Sequence, residues 1–322
     1  METGLPVNYL GAITFWLYIL ASLGLTTLAI YTLASQRPPH DGAQVKRRKL
    51  TLRFSALAVI SFCTLSFNML RVLIQSYTQW SKRLPSAYDR AHHGLLTRIW
   101  TWSITSTLFR DFGEAIVADQ ARYIWVLTAL LATFSVCSYM GVEGRRRNIP
   151  QLWAFFALSQ ILPISFAQNL FYIALIRQPP GDRQIRVRSL PSAIVLVLYS
   201  LSLSVATQMA KTAMLMPLIL VTRLLLFAQI SLTRTGTGTM ERTTASRIQY
   251  PSVVIAQLLI VRQVYLALQE HSLVEIGTAL MSHPAVSALG FDPIISVISF
   301  AAWNYSAPIM SGNLSFDSEK AS

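Results

Sequence analysis

A chain of 322 residues that is 53% apolar and only 13% charged, with a mean hydropathy of +0.45, is not an ordinary soluble domain. Soluble domains carry about a quarter of their residues as Asp, Glu, Lys or Arg. The net charge of +13 does not point to nucleic acid, because the basic residues fall in short loops between apolar blocks, where Lys and Arg hold membrane topology.

The first apolar block runs from Tyr9 to Leu33. It is too long for the hydrophobic segment of a signal peptide, and no Lys or Arg precedes it, so it is expected to stay as a first membrane helix. A loop with Pro38-Pro39 and the basic run Lys46-Arg47-Arg48-Lys49 leads to a second block, Phe54 to Ser76. A polar connector containing His92-His93 follows, then a third, less apolar block from Ile99 to Val117 and a fourth from Tyr123 to Val142. Glu143 to Asn148 is a basic turn closed by Pro150. The fifth block, Gln151 to Ile176, is long and aromatic, and a Pro-Gly loop with arginines succeeds it. Further blocks cover Pro191–Gln208, Thr212–Ile230, Pro251–Leu268 and Pro284–Pro308. Blocks of about twenty apolar residues are membrane spans. The expectation is an all-α, polytopic membrane helical bundle with eight or nine transmembrane helices, one domain over 1–311 and a short polar tail over 312–322. Cys63 and Cys137 both lie inside blocks, where they read as small buried hydrophobes, and two cysteines build neither a disulfide framework nor a zinc cluster.

Counting Lys and Arg by loop places the Gln36–Arg53 loop in the cytoplasm and the N-terminus in the lumen of the endoplasmic reticulum. That arrangement leaves Arg145-Arg146-Arg147 on the wrong side if the third block spans; if it is re-entrant, the count favours neither orientation.

Ionisable groups inside apolar blocks are the informative ones, since each costs several kcal/mol unless paired or hydrated. The densest group is Arg110, Asp111, Glu114, Asp119 and Arg122. Asp111, Glu114, Asp119 and Arg122 fall on one side of a helix, so carboxylates facing one cavity beside arginines would shift one another's proton affinity. The plainer reading is local ion pairing, Arg110 with Glu114 and Asp119 with Arg122, at a membrane boundary. Asn68, Arg71 and Gln75 form a stripe on the second block that is expected to face other helices, either as a ligand-binding edge or as interhelical glue. Gln168 and Asn169 admit the same two readings, and Arg223, Gln257, Arg262 and Lys211 are further candidates. Trp153 and Tyr172 belong to an abundant set of aromatics that serves an interfacial belt, core packing or a cation-stabilising cavity. Glu143, Glu270, Glu275 and Asp292 rank lower as acids, being read as lying at or beyond helix ends.

The chain has no Asp-Asp pair, no H-E-x-x-H, no G-x-S-x-G and no phosphate-binding G-x-x-x-x-G-K-[ST], and its five histidines lack the spacing of a di-iron site. Metal, nucleotide and serine-hydrolase chemistry are disfavoured; an acid in a dry aromatic cavity remains, with no cofactor and no metal.

The segments Asp111-Phe-Gly-Glu114-Ala-Ile-Val-Ala-Asp119-Gln-Ala-Arg122, Gly141-Val-Glu-Gly-Arg-Arg-Arg-Asn148-Ile-Pro and Leu158-Ser-Gln-Ile-Leu-Pro-Ile-Ser-Phe-Ala-Gln-Asn169-Leu-Phe-Tyr resemble fungal integral-membrane terpene cyclases of meroterpenoid pathways, those of ascofuranone-, ascochlorin- and macrophorin-like compounds. The resemblance is strongest from Arg110 to Ile176. It implies a metal-free cyclase that protonates a terminal epoxide or alkene of a farnesylated aromatic or quinone-like substrate. Asp111, Glu114 and Asp119 are then the candidate acids, and Asn68, Arg71, Gln75, Arg122, Gln168, Asn169, Trp153 and Tyr172 the candidate substrate contacts. The expected partners are a lipophilic prenylated small molecule and membrane lipid. A proton-coupled carrier of a small lipophilic metabolite is the alternative, because acid–arginine clusters also serve such carriers.

Overall fold

The computed structural model describes residues 7–36, 44–83, 94–179, 185–187, 189–210, 212, 214–235 and 242–310. In chain order the elements are α1 (Tyr9–Ser35), α2 (Gln44–Arg83), α3 (Leu95–Thr105), α4 (Leu108–Ile116), α5 (Gln120–Arg146), α6 (Leu152–Ile161), α7 (Ile164–Arg177), β1 (Ile185–Val187), α8 (Ser189–Val205), α9 (Leu215–Leu232), β2 (Thr233–Thr235), α10 (Arg242–Glu270), α11 (Leu273–Ser282) and α12 (Pro284–Met310). The two strands form a three-residue antiparallel ladder, Arg186 opposite Arg234. The other elements among the described residues are all helices, and together they make a helical membrane bundle. Among the described residues five helices are long and apolar enough to cross a bilayer: α1, α2, α5, the Pro251–Glu270 part of α10 and the Pro284–Ser306 part of α12.

Two blocks expected as single spans are each broken into two short helices. The block 99–117 becomes α3 and α4, parted where Ser106 is extended at φ −91°, ψ 154°. The block 151–176 becomes α6 and α7, parted at Leu162-Pro163. A proline inside a helix lacks an N–H and its ring clashes with the carbonyl four residues back, while the residue before it is driven to extended backbone. Leu162 accordingly sits at φ −106°, ψ 174°.

Hydrogen bonds between helices define two ends of the bundle. At one, Asn8 N–H donates to Ile104 O (2.6 Å), Trp80 Nε1 to Thr105 Oγ1 (2.8 Å) and Trp125 Nε1 to Ile276 O (2.7 Å). This Asn8 end gathers the start of α1, the end of α2, α3, the start of α5 and α11. At the other, Arg47 Nη1 donates to Ile176 O (2.6 Å), Arg147 Nη1 to Leu175 O (3.1 Å) and Arg177 Nη1 to Leu33 O. This Arg147 end gathers the end of α1, the start of α2 and the ends of α5 and α7.

The path of α6 and α7 follows from these bonds. Gln151, just before α6, accepts from Thr32 Oγ1 (2.8 Å) near the Arg147 end, whereas Ile161, its last residue, accepts from the hydroxyl of Tyr18, in the first half of α1. Helix α7 then returns to the Arg147 end at Ile176 and Arg177. The two form a helical hairpin whose tip, residues 161–165, lies at mid-height. Its entry is a Schellman turn: Ile149 N–H reaches Gly144 O (2.8 Å), Asn148 N–H reaches Arg145 O (3.2 Å), and Asn148 takes the left-handed conformation at φ 54°.

Helix α7 is the centre of the molecule, with all of Ile164–Ile176 buried, as expected for a helix apolar on every side. Around it Tyr172 stacks flat on Trp303 (4.7 Å between centroids, 3° between planes), and Phe54 meets Tyr172 edge-on at 5.2 Å. A second core joins α5, α8 and α9 through Tyr123, Tyr199, Leu203 and Leu226. The outer faces carry Leu10, Ile13, Leu17 and Leu20 of α1 and Val59, Phe62 and Phe67 of α2, side chains for which lipid is the solvent. Of the two cysteines only Cys137 is buried; Cys63 lies on the outer face of α2, contrary to expectation.

Candidate functional site

A pocket of about 380 Å³ opens at the Asn8 end between the first turns of α1 and the α3–α4 break. Its volume lies in the range of small-molecule sites. Leu10, Phe15 and Trp102 supply an apolar wall, with the Phe15 and Trp102 rings edge to face at 5.8 Å, while Thr107 and Arg110 stand at its polar side. Those two residues hold the acids of the 110–114 segment. Thr107 Oγ1 donates to both carboxylate oxygens of Asp111 (3.0 and 2.9 Å), and Arg110 Nε meets Glu114 Oε1 at 2.7 Å. The hydrogen bond and charge of Glu114, with a smaller contribution from Asp111, raise the proton affinity of the Arg110 guanidinium above its usual value. The acids therefore stand one hydrogen bond behind the pocket wall. They do not face an enclosed cavity as the sequence suggested, since Asp111 is exposed and Glu114 is partly so.

Asp119 has a local role. It is the N-cap of α5, accepting from Arg122 N–H (2.8 Å) and pairing with Arg122 Nε (3.1 Å). A carboxylate at a helix N-terminus answers both the orphan amides and the macrodipole. Arg122 is thereby engaged with Asp119 rather than poised over the pocket.

The stripe on α2 is split. Asn68 is buried and donates to Thr64 O of its own helix (2.9 Å), but Arg71 and Gln75 are exposed, and the Arg71 guanidinium lies 5.9 Å from the Phe67 ring centroid. The helix turns only Asn68 inward, so the expectation of a three-residue inward stripe fails. Trp153 is also exposed, at the foot of the hairpin. Gln257 and Arg262 are exposed on α10, and Lys211 lies outside the described residues.

Gln168, Asn169 and Tyr172 come together in a buried polar seam between α7 and α12. Gln168 Nε2 donates to Tyr172 Oη (2.8 Å), Gln168 Oε1 accepts from Ser296 Oγ (2.6 Å), and Asn169 Nδ2 donates to Ser165 O (2.7 Å) and Ser299 Oγ (2.9 Å). At the head of the seam sits Asp292, which sequence reasoning ranked low as a helix-end residue. It lies well inside α12, buried, and accepts from Ile164 N–H (2.7 Å), Ser165 N–H (2.9 Å) and Ser165 Oγ (2.5 Å). Pro163, the N-cap of α7, has no side chain able to cap, so a carboxylate from another helix takes the first-turn amides. The signal was present as the spacing Asp292, Ser296, Ser299, Trp303, one polar stripe on an otherwise apolar helix.

Glu143, the other buried carboxylate among the described residues, is paired with Arg147 (2.6 Å) and Arg146 (3.6 Å) at the Arg147 end. Among those residues no three His, Cys, Asp or Glu side chains gather as a metal-ligand group. No family model matches this chain, and no curated protein or solved structure matches it.

Proposed function

We propose that the protein is a multi-pass membrane terpene cyclase of meroterpenoid metabolism, resident in the endoplasmic reticulum, acting without a metal on a farnesylated aromatic or quinone-like substrate. The observation that carries this reading is the apolar pocket walled by Phe15 and Trp102 whose polar side, Thr107 and Arg110, is bonded directly to Asp111 and Glu114. Asp111 and Glu114 lie within the segment whose residues resemble the fungal cyclases.

In this reading the terpene tail enters from lipid, fills the pocket and displaces water from Thr107. Thr107 Oγ1 passes its proton to the terminal epoxide oxygen or alkene carbon and takes one from the Asp111 carboxyl behind it. The epoxide C–O bond, or the alkene π bond, yields its electrons as the next double bond attacks the electron-poor carbon. The Phe15 and Trp102 faces stabilise the migrating charge. Loss of a C–H proton to the carboxylate ends the cascade and restores the acid. Glu114 holds Arg110 in an ion pair and so keeps that guanidinium from pairing with Asp111.

The helix path fits seven crossings, by α1, α2, α5, α8, α9, α10 and α12, with α6–α7 as a re-entrant hairpin from the Arg147 end. The test is product analysis of microsomes expressing the chain, supplied with farnesylated phenols with and without a terminal epoxide. A cyclised product formed equally in EDTA supports the reading; unchanged substrate in every case refutes it.

The hairpin favours one other reading. A broken helix with its tip at mid-depth and a carboxylate at the half-helix N-terminus is an arrangement found in carriers. Proteoliposomes that accumulate a prenylated phenol in response to a pH gradient, without converting it, would favour transport.

A further inference from the structure

The buried carboxylate at the break between α6 and α7 is met by donors but by no cation. Asp292 lies inside the membrane-crossing part of α12, and among the described residues no Lys, Arg or His pairs with it. A carboxylate at that depth is costly unless a counter-charge meets it. Beside it a crevice of about 150 Å³, too narrow to admit a water molecule, opens between α2, the hairpin tip and α12. Its polar lining is Asp292 with Ser61 and Thr64 of α2, and the remainder is aliphatic.

Every O–H in this group already points elsewhere. Ser165 Oγ donates to Asp292 Oδ1 (2.5 Å), so in its contact with Ser61 Oγ (2.5 Å) Ser61 is the donor. Thr64 Oγ1 donates to Ile60 O of its own helix (2.8 Å). Ser61 and Thr64 are left with acceptor lone pairs only. Asp292 Oδ2, which accepts from Ile164 N–H (2.7 Å), keeps one as well. One turn further along α7, the buried Asn169 Oδ1 has no partner among the described residues either. Acceptors outnumber donors at the break, and the one formal charge there is negative.

Such a lining recognises a small cation. Magnesium keeps several of its waters, for which there is no room, and calcium takes about six to eight oxygens, usually from several carboxylates, where this crevice has one. A proton on Asp292 Oδ2 would engage a single neighbour and leave the other oxygens unmet. Sodium, smaller than a water molecule, meets all three at once, whereas potassium is about as large as water. We infer that Asp292, Ser61 and Thr64 form a sodium site at mid-membrane that clamps α2 and α12 to the hairpin tip. The pocket at the Asn8 end shares no lining residue with it, so the site stands whether the chain cyclises its substrate or carries it.

The experiment melts the purified full chain, in lipid nanodiscs, in NaCl, KCl or choline chloride at one ionic strength. Wild type should gain melting temperature with NaCl, saturably, as a ligand of the folded state requires, and should change little when KCl replaces choline. Thr64→Val keeps the shape and removes one oxygen. It should melt close to wild type in choline and need about tenfold or more NaCl for half the effect. Asp292→Asn should abolish the sodium effect. If that variant does not fold, Thr64→Val and Ser61→Ala carry the test. Equal melting in all three salts overturns the site, and so does a potassium effect equal to that of sodium. A sodium effect that both Thr64→Val and Ser61→Ala leave untouched overturns it too.

Discussion

Asp292 joins two helices through one carboxylate, and its removal has a definite cost. Asp292→Ala leaves the Ile164 and Ser165 amides buried without acceptors, each worth about 1–3 kcal/mol. Thermal unfolding in detergent should show Asp292→Ala as the most destabilised of the acid variants, with Asp292→Asn between it and wild type. The Asp111 and Glu114 amides should unfold as wild type does, because their partners Thr107 and Arg110 stay hydrated when released. His283 supplies a pH dependence. Burial, and then the nearby Arg122, lower its proton affinity, and its Nδ1 accepts from Ala285 N–H (3.1 Å) at the start of α12. The folded state therefore binds a proton less readily than the unfolded chain. The contribution is complete above the ordinary histidine pKa of about 6.5 and declines as pH falls through the lowered value. Melting temperature should drop between pH 7 and 5 in wild type and less so in His283→Asn.

Helix α7 shows what was legible at the next scale and what was not. Pro163 is visible within Gln160-Ile-Leu-Pro-Ile-Ser165, but the apolar length of 151–176 alone fits one span, whereas the chain folds as two half-helices. The compensation for the break was less readable, because it is tertiary. Asp292 meets the N-terminus of α7, and Arg47 and Arg147 meet its last carbonyls at Ile176 and Leu175. Opposite charges at the two ends complement the helix dipole, which lets a short helix stay buried along its whole length. The long apolar blocks were read within a few residues at α1, α5, α8, α9 and α12, since period and length suffice there. The basic run Lys46–Lys49, expected as loop, is the first turn and a half of α2, and α11 was missed because ten residues make too short a block. The hairpin predicts accessibility from one side only. Single cysteines at Trp153 and Gln178, placed in a chain with Cys63 and Cys137 replaced, should both react with a membrane-impermeant maleimide from the same face. Reaction from opposite faces would make the block a span.

Charge acquires its meaning only for the whole molecule. In the linear reading Arg145–Arg147 fell on the wrong side, because the 99–117 block was counted as a crossing. Folded, α3 and α4 both stay at the Asn8 end, so α5 delivers its arginines beside Arg47 and Arg177. Lys46, Arg47, Arg48, Lys49, Arg145, Arg146, Arg147, Arg177, Arg186 and Arg234 thus share one end, against Lys82, Arg83, Arg98, Arg110 and Arg122 at the other. That asymmetry predicts a cytoplasmic Arg147 end, and protease or maleimide accessibility in sealed microsomes checks it at Arg48→Cys. In that orientation the pocket opens on the side opposite the cytoplasm. The acid pair was legible as a cluster in the sequence, whereas the pocket beside it was not, being assembled from α1 and the α3–α4 break.

The most direct measurement is the yield of cyclised product from an epoxidised farnesyl phenol in microsomes containing equal amounts of wild type, Asp111→Asn or Glu114→Gln. The account predicts a fall of about two to four orders of magnitude for Asp111→Asn, the loss of a general acid, and a smaller fall for Glu114→Gln. Near-normal turnover in a folded, membrane-inserted Asp111→Asn protein would contradict it.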